Sequence, residues 1–137
     1  MICLIDADVL LDLGFPREPF ADAAMRVLEW CRQNPGHGFV AWHTLANIHY
    51  LLARHHDDAL ARRYLDGLLM ALDVAPASGL AARRALGLTM RDFEDALQTV
   101  AAEAVGAVCI VTRNAADYRR SPVPALAPAE FLRRVRH

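Results

Sequence analysis

In Ala107-Val108-Cys109-Ile110-Val111-Thr112-Arg113-Asn114, five apolar residues, three of them β-branched, run straight into a hydroxyl, a guanidinium and an amide. The run is too short for a helix, and Gly106 closes the pattern before it, so it reads as the best strand in the chain. Ile2-Cys3-Leu4-Ile5 has the same character and stops at Asp6. Its unbroken apolar sequence predicts a strand buried on both faces, as in a parallel sheet.

Between these two strands the spacing is mostly helical. From Pro19 to Gln33 the residues Phe20, Ala24, Val27, Leu28 and Cys31 recur on one face, and Asn34-Pro35-Gly36 ends that helix. Phe39-Val40-Ala41 is a second strand. Thr44 is expected to cap a helix carrying Leu45, Ile48, Leu51 and Leu52, and a further helix runs through Leu60, Tyr64, Leu65, Leu68 and Leu69. Leu72-Asp73-Val74 reads as a third, weak strand. A short helix from Leu80 to Leu86 stops at Gly87, and Thr89 is expected to cap a long helix from Met90 to about Val105. Pro122, Pro124 and Pro128 punctuate a last strand and a terminal helix through Phe131 and Leu132.

Strands alternating with helices predict an α/β domain with a parallel sheet. In such sheets ligands bind outside the carboxyl ends of strands, where strand order reverses. That rule selects Asp6 and the Thr112-Arg113-Asn114 segment.

Composition narrows the chemistry. The 137 residues are 55% apolar and 23% charged, which suits a single folded domain over residues 1–137. A formal net charge of -1 argues against nucleic-acid binding by bulk electrostatics alone, although a local arginine stripe beside an acidic centre would suffice. Every basic residue is Arg, which removes chemistry that needs an amine. Cys3, Cys31 and Cys109 form no CxxC pair, and they read as small buried residues in a reducing compartment. No apolar run reaches membrane length and no signal pattern opens the chain, so a cytoplasmic location without membrane attachment is expected.

Three segments bring carboxylates. Asp6-Ala7-Asp8 follows the first strand, a natural place for a metal anchor, although turn or cap hydrogen bonds would equally occupy these residues. In Arg91-Asp92-Phe93-Glu94-Asp95-Ala96-Leu97-Gln98, Asp92 and Asp95 share one helix face, and Glu94 and Gln98 another. Asp92 fits the third helical position behind Thr89, where a carboxylate stabilises the helix end. Asp95 sits a turn deeper among apolar residues, where a cation is a sensible partner. Asn114 and Asp117 follow the best strand. Carboxylates converging without cysteine describe a hard-cation site suited to Mg²⁺ or Mn²⁺. His43 and His49 are six apart and His55-His56 sits at a helix end, so they make no zinc site and read as surface or packing residues.

Taken in order, these segments resemble a known family. Leu4-Ile5-Asp6-Ala7-Asp8-Val9-Leu10-Leu11-Asp12, followed by Arg17-Glu18-Pro19-Phe20, is similar to the opening of PIN-domain proteins. Thr44-Leu45-Ala46-Asn47-Ile48-His49-Tyr50-Leu51-Leu52 resembles their second motif. Asp92 to Gln98 and Thr112 to Tyr118 resemble the third and fourth, and Pro124 to Leu132 resembles the closing segment. The resemblance implies a three-layer α/β/α sandwich with a parallel sheet of four or five strands. It also implies metal-dependent RNA cleavage, by the toxin of a VapC-type toxin–antitoxin pair, with an antitoxin partner and homodimerisation as further expectations. By motif position Asp6, Asp95 and Asp117 ligate Mg²⁺ or Mn²⁺, directly or through water, while Thr112 and Asn114 help hold water or phosphate. Asp8 stands where the family usually has Asn, and Asn47 where many members have Glu.

Two other readings compete. Ile5-Asp6-Ala7-Asp8-Val9 fits the D-x-D signature of haloacid dehalogenase-type phosphatases, with Asp6 as nucleophile and Asp8 as general acid, and a phosphate-receiver domain would use the same acids. Both normally use a lysine, which this chain lacks. A non-catalytic PIN-like binding module is favoured by the neutral Asn47.

Overall fold

A computed structural model describes residues 1–136. Strand β1 (Cys3–Ile5) leads into helices α1 (Ala7–Gly14) and α2 (Phe20–Gln33), then β2 (Gly38–Ala41), α3 (Trp42–His55) and α4 (Asp58–Leu69). The chain continues through β3 (Asp73–Ala75), α5 (Gly79–Gly87), α6 (Phe93–Ala104) and β4 (Cys109–Val111). A 3-10 turn (Ala115–Tyr118), β5 (Ala125–Leu126) and α7 (Pro128–Val135) complete it.

The five strands are all parallel, in the order β3-β2-β1-β4-β5. The chain builds outward from β1 through β2 to β3, then returns to the other side of β1 for β4. The reversal therefore lies between β1 and β4, whose register pairs Cys3 with Cys109 and Ile5 with Val111.

Residue alternation along the buried strands assembles the layers. Cys3, Ile5, Cys109 and Val111 point to one face, where they pack with Leu10 of α1, Val27 of α2, Ile48 of α3, Leu68 of α4 and Phe131 of α7. Leu4 and Ile110 point to the other, against Ala101 and Ala102 of α6. Helix α5 packs outside α6 through Ala85, Ala96 and Val100. The result is the expected three-layer sandwich. One close approach depends on glycine: a Cβ on Gly38 would fall 2.4 Å from the Cys31 sulfur, so no larger residue lets β2 pass beneath α2. Gly106, with φ +68°, ends the α6 segment in the left-handed region.

Some expectations are corrected. Helix α1 was not foreseen; its eight residues begin directly after Asp6. Thr44 does not cap α3, because the helix already starts at Trp42 and the Thr44 hydroxyl is turned inward. Thr89 does not cap α6 either. The helix starts at Phe93, and Asp92 is its cap, accepting from the amides of Glu94 and Asp95. Strand β4 begins at Cys109, two residues later than expected. Among the described residues no helix is long and apolar enough to cross a membrane.

Candidate metal centre

The carboxyl end of β1 delivers Asp6 to the reversal point. Its amide donates to the Val111 carbonyl at 2.9 Å, which fastens the end of β1 to β4. Its carboxylate makes no cap bond to α1 and is left for the crevice. Although buried, Asp6 is well supplied with donors. Thr112 Oγ1 lies 2.8 Å and the Tyr118 hydroxyl 3.0 Å from Oδ2, and Gln98 Nε2 lies 3.3 Å from Oδ1. Gln98 also donates to Thr44 Oγ1 at 2.9 Å, which explains the inward turn of that threonine.

Helix α6 presents its first turn to the same place. Oxygen atoms of Asp6, Glu94 and Asp95 lie within 4.8 Å of one another. The Tyr118 hydroxyl also stands 3.1 Å from Asp95 Oδ1, between two of these acids. His43 Nε2 lies 2.8 Å from Glu94 Oε2 and fixes the third. Positions 94, 95 and 98 share one helix face, because Gln98 is one turn on from both acids.

Crowding is visible in the electrostatics. Burial, then the charge of Asp8, pushes the Asp6 pKa up to about 7 against the help of Thr112 and Tyr118. Burial, then the charge of Asp92, pushes Asp95 up to about 6, with Glu94 and Asp117 adding to the repulsion. Burial and the neighbouring carboxylates drive the Tyr118 phenol well above its usual range, so it stays a neutral hydroxyl.

The remaining candidates surround this centre. Asp8 Oδ2 accepts from Asn114 Nδ2 at 2.9 Å and from the Arg113 amide at 3.1 Å, and shares the single Thr112 hydroxyl proton, 3.1 Å away, with Asp6. It therefore ties the loop after β4 to α1. The Arg113 guanidinium pairs with buried Asp12 at 2.7 Å and lies 4.1 Å over the Phe20 ring, which secures the same loop from behind. Asp92 and Asp117 are exposed and line a groove of about 690 Å³ that also contains Asp95. Asp117 is near enough to raise the Asp95 pKa, yet the closest cluster holds Glu94 rather than Asp117. Asn47 is exposed on α3, and among the described residues no hydrogen bond joins it to Asp6, Asp95 or Asp117.

Of the residues named from sequence, the structure brings Asp6 and Asp95 together, with Thr112 bonded to Asp6. Sequence reasoning missed Glu94, Gln98, Tyr118 and His43. The i, i+3 and i, i+4 spacing of Glu94 and Asp95 to Gln98 was a signal for the first two. His43 lies 51 positions from its partner, and no spacing rule reaches it.

The donor set fits a hard divalent cation. It is all oxygen, its carboxylates repel one another, and buried Asp8 Oδ1 and Gln98 Oε1 nearby have no hydrogen-bond partner among the described residues.

Comparison with known proteins agrees with this architecture. Residues 3–116 match the family described as PIN domain, and the chain belongs to that family. Its fold is similar to a solved structure of VapBC2 from Rickettsia felis bound to a DNA fragment from its promoter, with a TM-score of 0.72 at 18% identity. That match covers 93% of this chain and 98% of the other. It is also similar to a toxin–antitoxin complex from Klebsiella pneumoniae, with a TM-score of 0.70 at 21% identity, covering 92% and 97% of the two chains. No curated protein matches the chain by sequence.

Proposed function

We propose that this protein is a Mg²⁺- or Mn²⁺-dependent endoribonuclease that acts in the cytoplasm as the toxin of a toxin–antitoxin pair. The observation that carries the reading is the convergence of Asp6, Glu94 and Asp95 at the β1–β4 reversal, beside an open polar groove. PIN-domain membership and the likeness to two toxin–antitoxin structures support it over the phosphatase and receiver alternatives. They also support an antitoxin as protein partner.

Asp6, Glu94 and Asp95 would hold the cation, with Asp117 lining the same groove as Asp95. A divalent cation there supplies Lewis-acid polarisation of a phosphodiester and offsets the charge that builds up on it. The chain's own residues prepare that event. Thr112, Tyr118 and Gln98 orient Asp6, and His43 orients Glu94. Asp8 and Asn114 hold the loop that carries Thr112.

Purified protein should cleave RNA with Mg²⁺ or Mn²⁺, stop with chelator, and ignore small phosphate monoesters. Asp6→Asn and Asp95→Asn should each abolish cleavage with the fold retained, and Asp117→Asn should reduce it. Cation binding without RNA turnover would instead establish the non-catalytic binding module. Co-expression with the product of an adjacent reading frame should suppress the cleavage if that product is the antitoxin.

A further inference from the structure

The groove beside the acids carries opposite charges that leave each other alone. Arg91 precedes the Asp92 cap, and Arg119 and Arg120 follow the 3-10 turn that carries Asp117; all three line the groove with Asp92, Asp95 and Asp117. Some arginines elsewhere pair with carboxylates, as Arg84 does with Glu103 and Arg113 with Asp12, and others such as Arg54 do not; what sets these three apart is that they stand in one groove with three acids. Among the described residues Arg91, Arg119 and Arg120 have no carboxylate within ion-pair distance, although three share their groove; Arg119 donates only to the Ala116 carbonyl.

We infer that this groove is a backbone clamp for an RNA strand, in which Arg91, Arg119 and Arg120 hold phosphates next to the one delivered to the acids. The inference rests on the ribonuclease reading and adds the residues that grip the substrate. A phosphodiester chain suits both poles, because one phosphate meets a cation at the carboxylates while its neighbours meet guanidinium groups. The space of about 690 Å³ between the poles is open, and no aromatic side chain lines it. Bases therefore have no aromatic ring to stack on, and the three guanidinium groups are suited to gripping the phosphate backbone. A chain with net charge -1 has little bulk attraction for RNA, so a local clamp of this kind has to supply it.

The test uses the whole protein and a short fluorescein-labelled single-stranded RNA. Arg119→Ala/Arg120→Ala should raise KM by roughly tenfold or more with kcat nearly unchanged, since each lost charge-assisted hydrogen bond to phosphate weakens binding. In anisotropy titrations with the Asp6→Asn protein as parent, the slope of log affinity against log salt should flatten by about 0.7 per arginine removed. Arg91→Ala should act in the same direction, and the double lysine variant should restore the slope. These arginines are exposed, so melting temperatures should not move. If the wild type cleaves RNA and the double alanine variant keeps its KM and salt slope, the clamp is refuted and the ribonuclease reading survives. If those variants lose antitoxin inhibition instead, the groove is a protein-docking surface and the clamp is again refuted. A wild type that neither binds nor cleaves RNA overturns both.

Discussion

His43 on α3 reaches across to Glu94 on α6, Nε2 to Oε2 at 2.8 Å, and holds that carboxylate toward Asp6 and Asp95. Two helices packed on opposite faces of the sheet thus complete one acidic centre.

Glu94 should be worth more to cation binding than any residue outside the trio. Glu94→Gln removes one charge from a hard-oxygen set and should weaken Mn²⁺ binding at least tenfold by calorimetry. Losing a partner that orients a ligand typically costs about 10–100-fold, so His43→Ala should fall near the lower end of that range. His43→Gln keeps a donor near the Nε2 position and should recover most of the affinity. A purely structural His43 would lower the melting temperature of His43→Ala without changing Mn²⁺ affinity.

Asp92 and Asp95 are three residues apart and have different work. Asp92 caps α6 through the amides of Glu94 and Asp95, so Asp92→Ala should cost roughly 0.5–2 kcal/mol of stability. Asp92→Asn keeps the cap and should keep the stability while removing the largest charge acting on Asp95. Asp95→Asn should relieve repulsion in the metal-free protein, leaving it as stable or more so, while Mn²⁺ binding collapses. Thermal melts with and without Mn²⁺ separate the two. Equal loss of cation binding in Asp92→Asn and Asp95→Asn would place Asp92 among the ligands.

Stability should depend on pH in opposite senses with and without the cation. Asp6 is pushed up to about 7 and Asp95 to about 6, so between the ordinary carboxylate range and these values the folded protein binds more protons than the unfolded chain. The stability these two acids contribute to the metal-free protein is therefore fully present in acid and is lost as pH rises toward 7. For buried Asp6 alone the loss is on the order of 4 kcal/mol. A divalent cation binds the ionised acids, so the stabilisation it adds should grow over the same interval. Melting curves at about pH 5 and about pH 8 with chelator and with Mn²⁺ check both signs. A chelated protein that gains stability on going to the higher pH contradicts this account of the acids.

Much of this was legible because the apolar strands announce a parallel sheet and the reversal rule then locates its ligand end. Asp6 and Thr112 follow from that reasoning alone, and Asp95 from its place among apolar neighbours. The rest depends on tertiary direction. Asp8 reads in sequence only as a supporting acid beside Asp6, and nothing local shows that α1, starting at Ala7, turns it toward the Arg113 amide and the Asn114 side chain. Thr44 and Thr89 both look like caps. Thr44 is instead needed by Gln98, and the α6 cap falls to Asp92, the only one of the two candidates within reach of the Glu94 amide. Tyr118 reads as the end of a motif, and nothing local shows its hydroxyl lying between Asp6 and Asp95.

Asn47 is the remaining test, because the resemblance to the family puts a glutamate at its position in many members. It lies one turn beyond His43 and Thr44 on α3, so the three share a side of the helix, and both of those residues reach the centre. Its exposure leaves the amide free to approach a ligand from the solvent side. A neutral amide adds no charge, and divalent affinity follows ligand charge as well as geometry, so wild-type Mn²⁺ binding should be weak. Asn47→Asp adds a charge at nearly the same volume and should tighten Mn²⁺ binding, and Asn47→Ala should loosen it slightly. Neither should move the melting temperature of the chelated protein much, since exposed substitutions usually stay within about 0.5 kcal/mol. Three Mn²⁺ titration curves that superimpose would put Asn47 outside the centre, leaving Asp6, Glu94 and Asp95 to hold the cation without it.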